Sequence, residues 1–143
     1  MSYEQHITTC VADAMVTSPK TYGAETPLEA VQALFEDDHV HMVLIVGADG
    51  HLLTAIERDD LAELVQASSL AREAGALAGR TISPYQSLKH AKAILKRAER
   101  RRLAVVDGSG RLIGLLCLKR DGDGFCSDEG VRQRAAALKS ATA

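Results

Sequence analysis

The chain repeats itself at a shift of 60 residues, which restricts it to folds built from two similar units. The two segments align without a gap, residues 14–52 with residues 74–112. The identical pairs include Ala14 and Ala74, Thr21 and Thr81, Leu28 and Leu88, Ala33 and Ala93, Val46 and Val106, Gly50 and Gly110, and Leu52 and Leu112. The sequence therefore predicts two copies of one unit.

Each copy carries the same order of secondary-structure signals. In the first copy, Thr26-Pro27 with Glu29 predicts a helix start, with Thr26 as the cap and Pro27 at the first helical position. Apolar strands are predicted at residues 42–46 and 52–56 around a Gly-Asp turn. Asp59 and Asp60 then start another helix.

The second copy repeats these signals. It predicts a helix face at residues 88–95 and strands at 103–106 and 112–118, joined by a turn at 108–110. Each copy therefore reads as a strand, helix, strand, turn, strand and helix. So small a unit cannot bury both faces of its sheet, and docking two copies solves that problem.

The predicted fold class is α/β (α+β) with β-α-β-β-α repeats. Residues 1–68 form the first repeat with an N-terminal helix at 9–15. Residues 69–125 form the second repeat, with a short helix at 70–74. Residues 126–143 form a C-terminal helix or tail that starts near Ser127.

Composition excludes several classes of protein. Aromatic residues make up 3% of the chain and Trp is absent, which argues against a surface that stacks bases. No apolar run is long enough to span a membrane. The N-terminus lacks a basic segment followed by an apolar one, so we expect no secretory signal. Because the three cysteines are an odd number and no signal peptide is evident, we expect reduced thiols and a cytoplasmic protein.

The small net charge of −2 hides a strong asymmetry. Residues 1–70 carry two basic and twelve acidic residues, a net charge of −10. Residues 71–143 carry fifteen basic and seven acidic residues, a net charge of +8. This split favours association between unlike halves or an anionic ligand near the second half. The alternative is two solvated helix faces of opposite sign.

Three stretches resemble the tandem CBS-domain family, also called the Bateman module. They are VADAMVTSPKTYGAETPLEAV, MVLIVGADGHLLTAIERDDL and LAVVDGSGRLIGLLCL. The resemblance implies two repeats packed around a pseudo-twofold axis, a homodimer, and clefts that bind adenosyl ligands such as AMP, ATP or S-adenosylmethionine. It also implies regulation of a protein partner.

The family's ligand motif, Gly-apolar-x-Thr/Ser-x-x-Asp, is incomplete in both copies. In the first copy Thr54 replaces the Gly, Glu57 replaces the hydroxyl residue, and Asp60 is retained. In the second copy Gly114 is retained, Cys117 replaces the hydroxyl residue and Arg120 replaces the Asp. The motif's carboxylate accepts hydrogen bonds from ribose hydroxyls, whereas a guanidinium group only donates.

The candidate ligand-binding residues follow from this mapping. They are Asp60, Glu57, Thr21, Tyr22, Thr81, Ile82, Arg102, Ala104, Cys117 and Arg120. Asp60 is the predicted ribose contact, unless it only complements a helix dipole. Glu57 would repel phosphate, favouring S-adenosylmethionine or a divalent cation, unless it is simply exposed.

Arg102, Lys119 and Arg120 could instead hold phosphates, or form a solvated basic edge. The strands at Thr21-Tyr22 and Thr81-Ile82 would line adenine, although strand propensity also explains both threonines. Ala104 stands where many family members have proline. Cys117 could be a small core residue.

Three functions remain open. The first is a non-catalytic regulatory module that senses an adenosyl ligand. The second is a ligand-free structural or protein-interaction module with degenerate clefts. The third and weakest is nucleic-acid binding through the basic segment 89–102, which the pI of about 6.2 disfavours. No metal site or catalytic arrangement is predicted.

Overall fold

The computed structural model describes residues 10–61, 69–120, 122 and 124–126. Two three-stranded sheets form the framework, ordered β1-β2-β3 and β4-β5-β6. The strands are β1 (Tyr22–Gly23), β2 (Met42–Val46), β3 (Leu52–Glu57), β4 (Thr81–Ile82), β5 (Arg102–Val106) and β6 (Leu112–Cys117). The helices are α1 (Val11–Ala14), α2 (Leu28–Leu34), α3 (Arg58–Leu61), a short 3₁₀ helix (Ala71–Glu73) and α4 (Leu88–Ala98). The predicted α+β class is confirmed.

The two sheets are equivalent at a shift of 60 residues. In each sheet the first strand is parallel to the second and the second is antiparallel to the third. The irregularity between Ile45 and Val46 in β2 recurs between Val105 and Val106 in β5. The duplication in the sequence is therefore a duplication in backbone register.

The sheets meet at an apolar interface between the repeats. Leu44, Leu52, Ala55 and Ala104 are buried together there. The hairpin turns also pair directly: the Leu52 amide donates to the Gly110 carbonyl, and the Leu112 amide donates to the Gly50 carbonyl, each at 3.0 Å. These two bonds exchange under the 60-residue shift, as a pseudo-twofold axis requires.

Each repeat is completed by the segment that precedes the other repeat. Val11 of α1 is buried in the core of the second sheet, while Ala71 and Ala74 are buried in the core of the first. The Val11 amide donates to Gln86, and the equivalent Ala71 amide donates to Thr26. The two cores are therefore interdependent. The predicted boundaries at residues 68 and 125 stay predictions.

The first-copy helix cap was predicted wrongly. Thr26 is not the cap, because Pro27 holds that position in extended backbone and α2 begins at Leu28. Thr26 and Pro27 are kept extended by pairing with residues 69–71. In the second copy, Ser87 does cap α4, its side chain accepting from the His90 amide at 3.1 Å.

Other predicted elements need smaller changes. The N-terminal helix covers only Val11–Ala14, and β3 extends to Glu57. The basic helix α4 ends at Ala98, followed by Glu99 in a left-handed conformation with a φ of 56°. The predicted helix near Ser127 lies outside the described residues. Among those that are described, none belongs to a helix that is long and apolar enough to cross a membrane.

Candidate functional site

Asp60, the predicted ribose contact, lies in the first turn of α3, where both of its oxygens are engaged by Arg80. The Arg80 guanidinium donates to Oδ2 at 2.6 Å and to Oδ1 at 2.9 Å. The Glu57 amide also donates to Oδ2, at 2.7 Å. The hydrogen bond from Arg80 is the largest cause that lowers the pKa of Asp60. A ribose diol would have to compete with this charge-assisted bidentate pair.

Arg80 comes from the second repeat, immediately before β4, and is 8% exposed. It also donates to the Ala55 carbonyl at 2.8 Å. Since Asp60 and Ala55 belong to the first repeat, the Arg80 side chain fastens the two repeats to each other. A guanidinium that is removed from water requires such partners for its charge.

Glu57 is half-buried and paired, not exposed. Its Oε2 accepts from Arg100 Nε at 2.9 Å, and its Oε1 lies 3.3 Å from an Arg80 nitrogen. We call Glu57, Asp60, Arg80 and Arg100 the inter-repeat charge cluster. Two carboxylates face two guanidinium groups, so the predicted repulsion of phosphate by Glu57 is largely neutralised.

A cavity of about 360 Å³ opens beside the inter-repeat charge cluster. Its lining residues come from the β3–α3 junction, the start of β2, and the α4–β5 connection: His41, Glu57, Arg58, Asp59, Ala98, Glu99, Arg100, Arg101 and Arg102. Four are arginines and three are acidic. The cavity therefore has a modest preference for an anion.

Several cations of this cavity also support the backbone. Arg58 donates to the carbonyls of Phe35, Asp37 and Val40, in the connection that follows α2. Arg101 Nε donates to the Leu118 carbonyl at 3.2 Å. These side chains are consequently held in place before any ligand arrives.

His41 and Asp59 line the cavity, although the sequence predicted no ligand-binding role for either residue. Burial is the first cause that lowers the pKa of His41, followed by the nearby charges of Arg102 and Arg101. Asp59 is exposed, and within the described part of the chain its carboxylate has no hydrogen bond or ion pair. With Asp60 engaged by Arg80, Asp59 and the exposed Glu99 are the cavity carboxylates that remain available to a ligand among the described residues.

A smaller cavity of about 160 Å³ adjoins the first. Both are lined by His41 and Arg102, and the smaller one is also lined by Tyr22 and Lys20. The Lys20 amine lies 5.8 Å from the centre of the Tyr22 ring. Of the predicted residues, the structure thus brings Glu57, Arg102 and Tyr22 to neighbouring cavities.

The other predicted strand residues do not line these cavities. Thr21 is exposed, and Thr81 pairs with Ala104 between adjacent parallel strands. Ile82 is buried in the core of the second sheet, and Ala104 is buried between the two sheets.

The second-copy motif residues have a different environment. Arg120 and Lys119 are exposed in a turn after β6, away from the residues that line either cavity. Cys117 is buried and forms a disulfide with Cys126, with their Cα atoms 5.3 Å apart. The expectation that all thiols are reduced was wrong for this pair, because the chain folds back after β6 and brings Cys126 to Cys117. Cys10 is a free thiol.

The basic segment 89–102, which the sequence offered for nucleic-acid binding, includes most of α4. Helix α4 buries Ala91 and Leu95 and exposes Lys89, Lys96 and Arg97, so its charges lie on the wet face of an amphipathic helix. In the described ranges, no three His, Cys, Asp or Glu side chains are grouped to hold a metal ion.

Sequence and structure comparisons agree on one family. The CBS-domain family model matches residues 80–120, while no curated protein sequence matches the chain. The CBS pair of a putative Mg²⁺ transporter from Shewanella oneidensis MR-1 is similar, with a TM-score of 0.68 and 18% identity over 93% of this chain and 75% of that one.

Two similar structures were solved with nucleotides. The CBSX2 complex with AMP has a TM-score of 0.63 and 19% identity, covering 92% of this chain and 98% of that chain. The cytosolic domain of the Mg²⁺ channel MgtE in complex with ATP has a TM-score of 0.63 and 14% identity, covering 82% and 48%. At these identities the likeness establishes the fold.

Proposed function

Because this chain is a tandem CBS-domain protein, with a CBS domain at residues 80–120 and the fold of a CBS pair, we propose that it is a non-catalytic regulatory module that senses an adenosine nucleotide. The observation that carries this proposal is the cavity of about 360 Å³ between the repeats. Its volume lies within the range of small-molecule sites. Occupation of this cavity would signal through a dimer interface or a protein partner.

The charges around the cavity favour AMP or ATP over S-adenosylmethionine. Glu57 would repel phosphate only if its charge were unopposed, and it is paired with Arg100 at 2.9 Å. Arg101 and Arg102 add positive charge to the same lining, whereas burial and these arginines lower the pKa of His41 and favour its neutral form. A phosphate group is therefore better matched there than a sulfonium group.

In this proposal Asp59 takes the ribose contact that the family motif would give to Asp60. Asp60 is bound by Arg80 through both oxygens, whereas Asp59 lines the cavity. A carboxylate with free acceptor positions can receive hydrogen bonds from neighbouring hydroxyls.

Thermal shift and calorimetry with AMP, ATP, S-adenosylmethionine and NADH test the proposal. A ligand at 100 times its Kd stabilises the folded state by about 2.7 kcal/mol, which a melting experiment resolves. We expect AMP or ATP to raise the Tm more than S-adenosylmethionine. The absence of any adenosyl-dependent shift at millimolar concentration would reject nucleotide sensing.

Asp59→Asn and Asp38→Asn form a matched pair for this test. Asp38 is exposed and lies outside both cavities, so its substitution changes the net charge equally without touching the site. If Asp59 accepts from ribose, Asp59→Asn weakens nucleotide binding. If Asp59 only contributes charge, the same change strengthens binding of an anion.

The second candidate function is a ligand-free structural or protein-interaction module. It is favoured by the bond between Arg80 and Asp60, which occupies the retained motif carboxylate with a side chain of the same molecule. This function predicts no nucleotide response, together with a homodimer whose fraction rises with concentration. Analytical ultracentrifugation measured beside the thermal shifts separates the two functions.

A further inference from the structure

The end of β6 departs from the symmetry that relates the two repeats. In the first repeat, β3 leads directly into α3 at Arg58. In the second repeat, the chain turns back on β6, and Leu118 pairs with Phe125. The Lys119 amide donates to the Gly124 carbonyl, and the Cys126 amide donates to the Cys117 carbonyl, both at 2.7 Å. We call the described residues 117–120, 122 and 124–126 the β6 hairpin.

The disulfide closes the β6 hairpin at its base. Cys117 and Cys126 are each at least nine-tenths buried and pack with Val16. Leu118 and Phe125 pack against the core of the second sheet. Under the 60-residue shift, Cys117 and Arg120 correspond to Glu57 and Asp60, so the β6 hairpin occupies the position that carries the charge cluster in the first repeat.

We propose that Cys117 and Cys126 form a reversible dithiol–disulfide couple, and that oxidation fixes the β6 hairpin against the second repeat. Cys126 is then attached to strand β6 by a covalent bond. Reduction leaves the hairpin held by its few backbone hydrogen bonds and by the packing of Leu118 and Phe125. This regulation does not depend on nucleotide binding.

The oxidant is a small-molecule disulfide such as oxidised glutathione. One cysteine thiolate attacks a sulfur of the oxidant, forming a mixed disulfide and releasing the first glutathione thiolate. The second cysteine thiolate then attacks the protein sulfur and releases the second glutathione. The two cysteines lose two electrons and two protons, and the oxidant gains them as two thiols.

Burial controls the rate of this exchange. A buried sulfur is reached only when the surrounding structure opens locally. The hairpin is the segment that must open, since Cys117 itself lies at the end of a sheet strand. Exchange in the native protein is therefore slower than exchange in the denatured chain.

The experiment equilibrates the full chain in buffers of increasing ratio of reduced to oxidised glutathione. Free thiols are then alkylated, and intact mass gives their number. We expect two thiols to appear together as the ratio rises, while Cys10 is alkylated at every ratio. Peptide mapping should join Cys117 to Cys126. Independent titration of the two thiols, or a disulfide that includes Cys10, would overturn the proposal.

Limited trypsin digestion reports on the hairpin itself. Lys119 and Arg120 are exposed in its turn, so cleavage after them should become several-fold faster on reduction. The rate in Cys126→Ser should match the reduced wild type in all buffers, whereas Cys10→Ser should behave as wild type. Equal cleavage rates in oxidised and reduced wild type would overturn the proposal, and this comparison requires no variant to fold.

Discussion

At the scale of single residues, Arg80 determines what Asp60 can do. The sequence predicts Asp60 as an acceptor for a ligand, but the guanidinium of Arg80 belongs to the same molecule and already donates to both carboxylate oxygens. Arg80 also contacts Glu57 and the Ala55 carbonyl. The Arg80 side chain therefore occupies the acceptor oxygens of the motif carboxylate Asp60. It also links the second repeat to the first by hydrogen bonds.

Arg80→Ala should destabilise the protein by about 3 kcal/mol, because it leaves Asp60 and Glu57 partly buried with a single remaining guanidinium beside them. Urea denaturation measures the loss as a lower midpoint with an unchanged slope. Arg72→Ala is the control, since Arg72 is exposed on the 3₁₀ helix. A loss no larger than that of the control would show that the cluster contributes nothing to stability.

The pairing between Asp60 and Arg80 also predicts a pH dependence. The pKa of Asp60 is lower in the folded protein than in the unfolded chain, so its contribution is complete above the unfolded pKa and is lost as pH falls through the folded value. The difference in unfolding free energy between wild type and Asp60→Asn should thus be constant at neutral pH and shrink below about pH 4. A difference that persists unchanged to pH 2 would contradict this assignment.

His41 should produce a second pH dependence, in a different range. Its pKa is lowered by burial and by neighbouring arginines, so the unfolded chain binds a proton more readily than the folded protein does. Stability should therefore fall as pH drops below about 6.5. His41→Asn should flatten this fall, while His90→Asn on the exposed face of α4 should not. If the free energy of unfolding depends on pH in the same way for wild type, His41→Asn and His90→Asn, the prediction is refuted.

Residue identity predicted Asp60 and Arg102 as functional candidates, but it did not predict their partners. Arg80 is 20 residues from Asp60, and Arg100 is 43 residues from Glu57. At the shift of 60 residues Lys20 aligns with Arg80, so a basic residue precedes the first strand of each repeat. This alignment cannot indicate that only Arg80 faces two carboxylates, because that depends on how the repeats dock.

At the scale of elements, Gly75 and Gly114 explain why the repeats differ at the motif glycine. A Cβ at Gly114 would lie 2.5 Å from Met15 Sδ and 2.8 Å from the Val16 carbonyl oxygen. In the first repeat Gly75 stands in the place of Met15, and the Thr54 hydroxyl donates to the Ala74 carbonyl at 2.6 Å. In the second repeat Met15 packs against Gly114, and in the first repeat Gly75 and Thr54 take the corresponding positions. The larger side chain is therefore on the preceding segment in one case and on the sheet strand in the other.

Gly114→Ala should accordingly destabilise the protein by about 1–3 kcal/mol through overpacking. Gly108→Ala is the matched control, because a Cβ there meets nothing within 4 Å. Met15→Ala should recover part of the loss when combined with Gly114→Ala, since it removes the nearest side-chain atom. Thermal or urea unfolding of wild type, Gly114→Ala, Met15→Ala and the double variant gives this coupling, and strictly additive losses would argue against it.

Elements with strong periodic signals were predicted well from the sequence. Strand β2 has the predicted bounds, and α4 and both hairpins lie where apolar periodicity and glycines place them. The start of α2 was missed because Thr26 and Pro27 pair with residues 69–71. The preference of threonine for the cap position was outweighed by this pairing, which joins residues more than 40 positions apart. The disulfide was missed because cysteine spacing does not reveal the β6 hairpin.

At the scale of the whole molecule, folding of each repeat depends on the other. The segment around Val11 completes the second core, and the segment around Ala71 completes the first. The apolar interface that includes Leu44 and Ala104 is covered only when the sheets dock. A single cooperative unit follows from this exchange, although the sequence contains two repeats.

Fragments 1–68 and 69–143 test this dependence. Either fragment alone exposes the interface and lacks the segment that completes its core, so we expect no cooperative unfolding transition from it. An equimolar mixture should regain secondary structure by circular dichroism and unfold cooperatively. Because the fragments carry net charges of −10 and +8, their association rate should fall as salt is added.

The control replaces Leu44 with Asp in the first fragment, which places a charge in the apolar interface between the sheets. This change should abolish complementation, because an unpaired carboxylate there has no partner to offset the loss of water. Conversely, a sigmoidal transition from either wild-type fragment alone, near the midpoint of the intact chain, would mean that one repeat stabilises itself. The exchanged segments would then contribute to packing without determining the cooperativity of the fold.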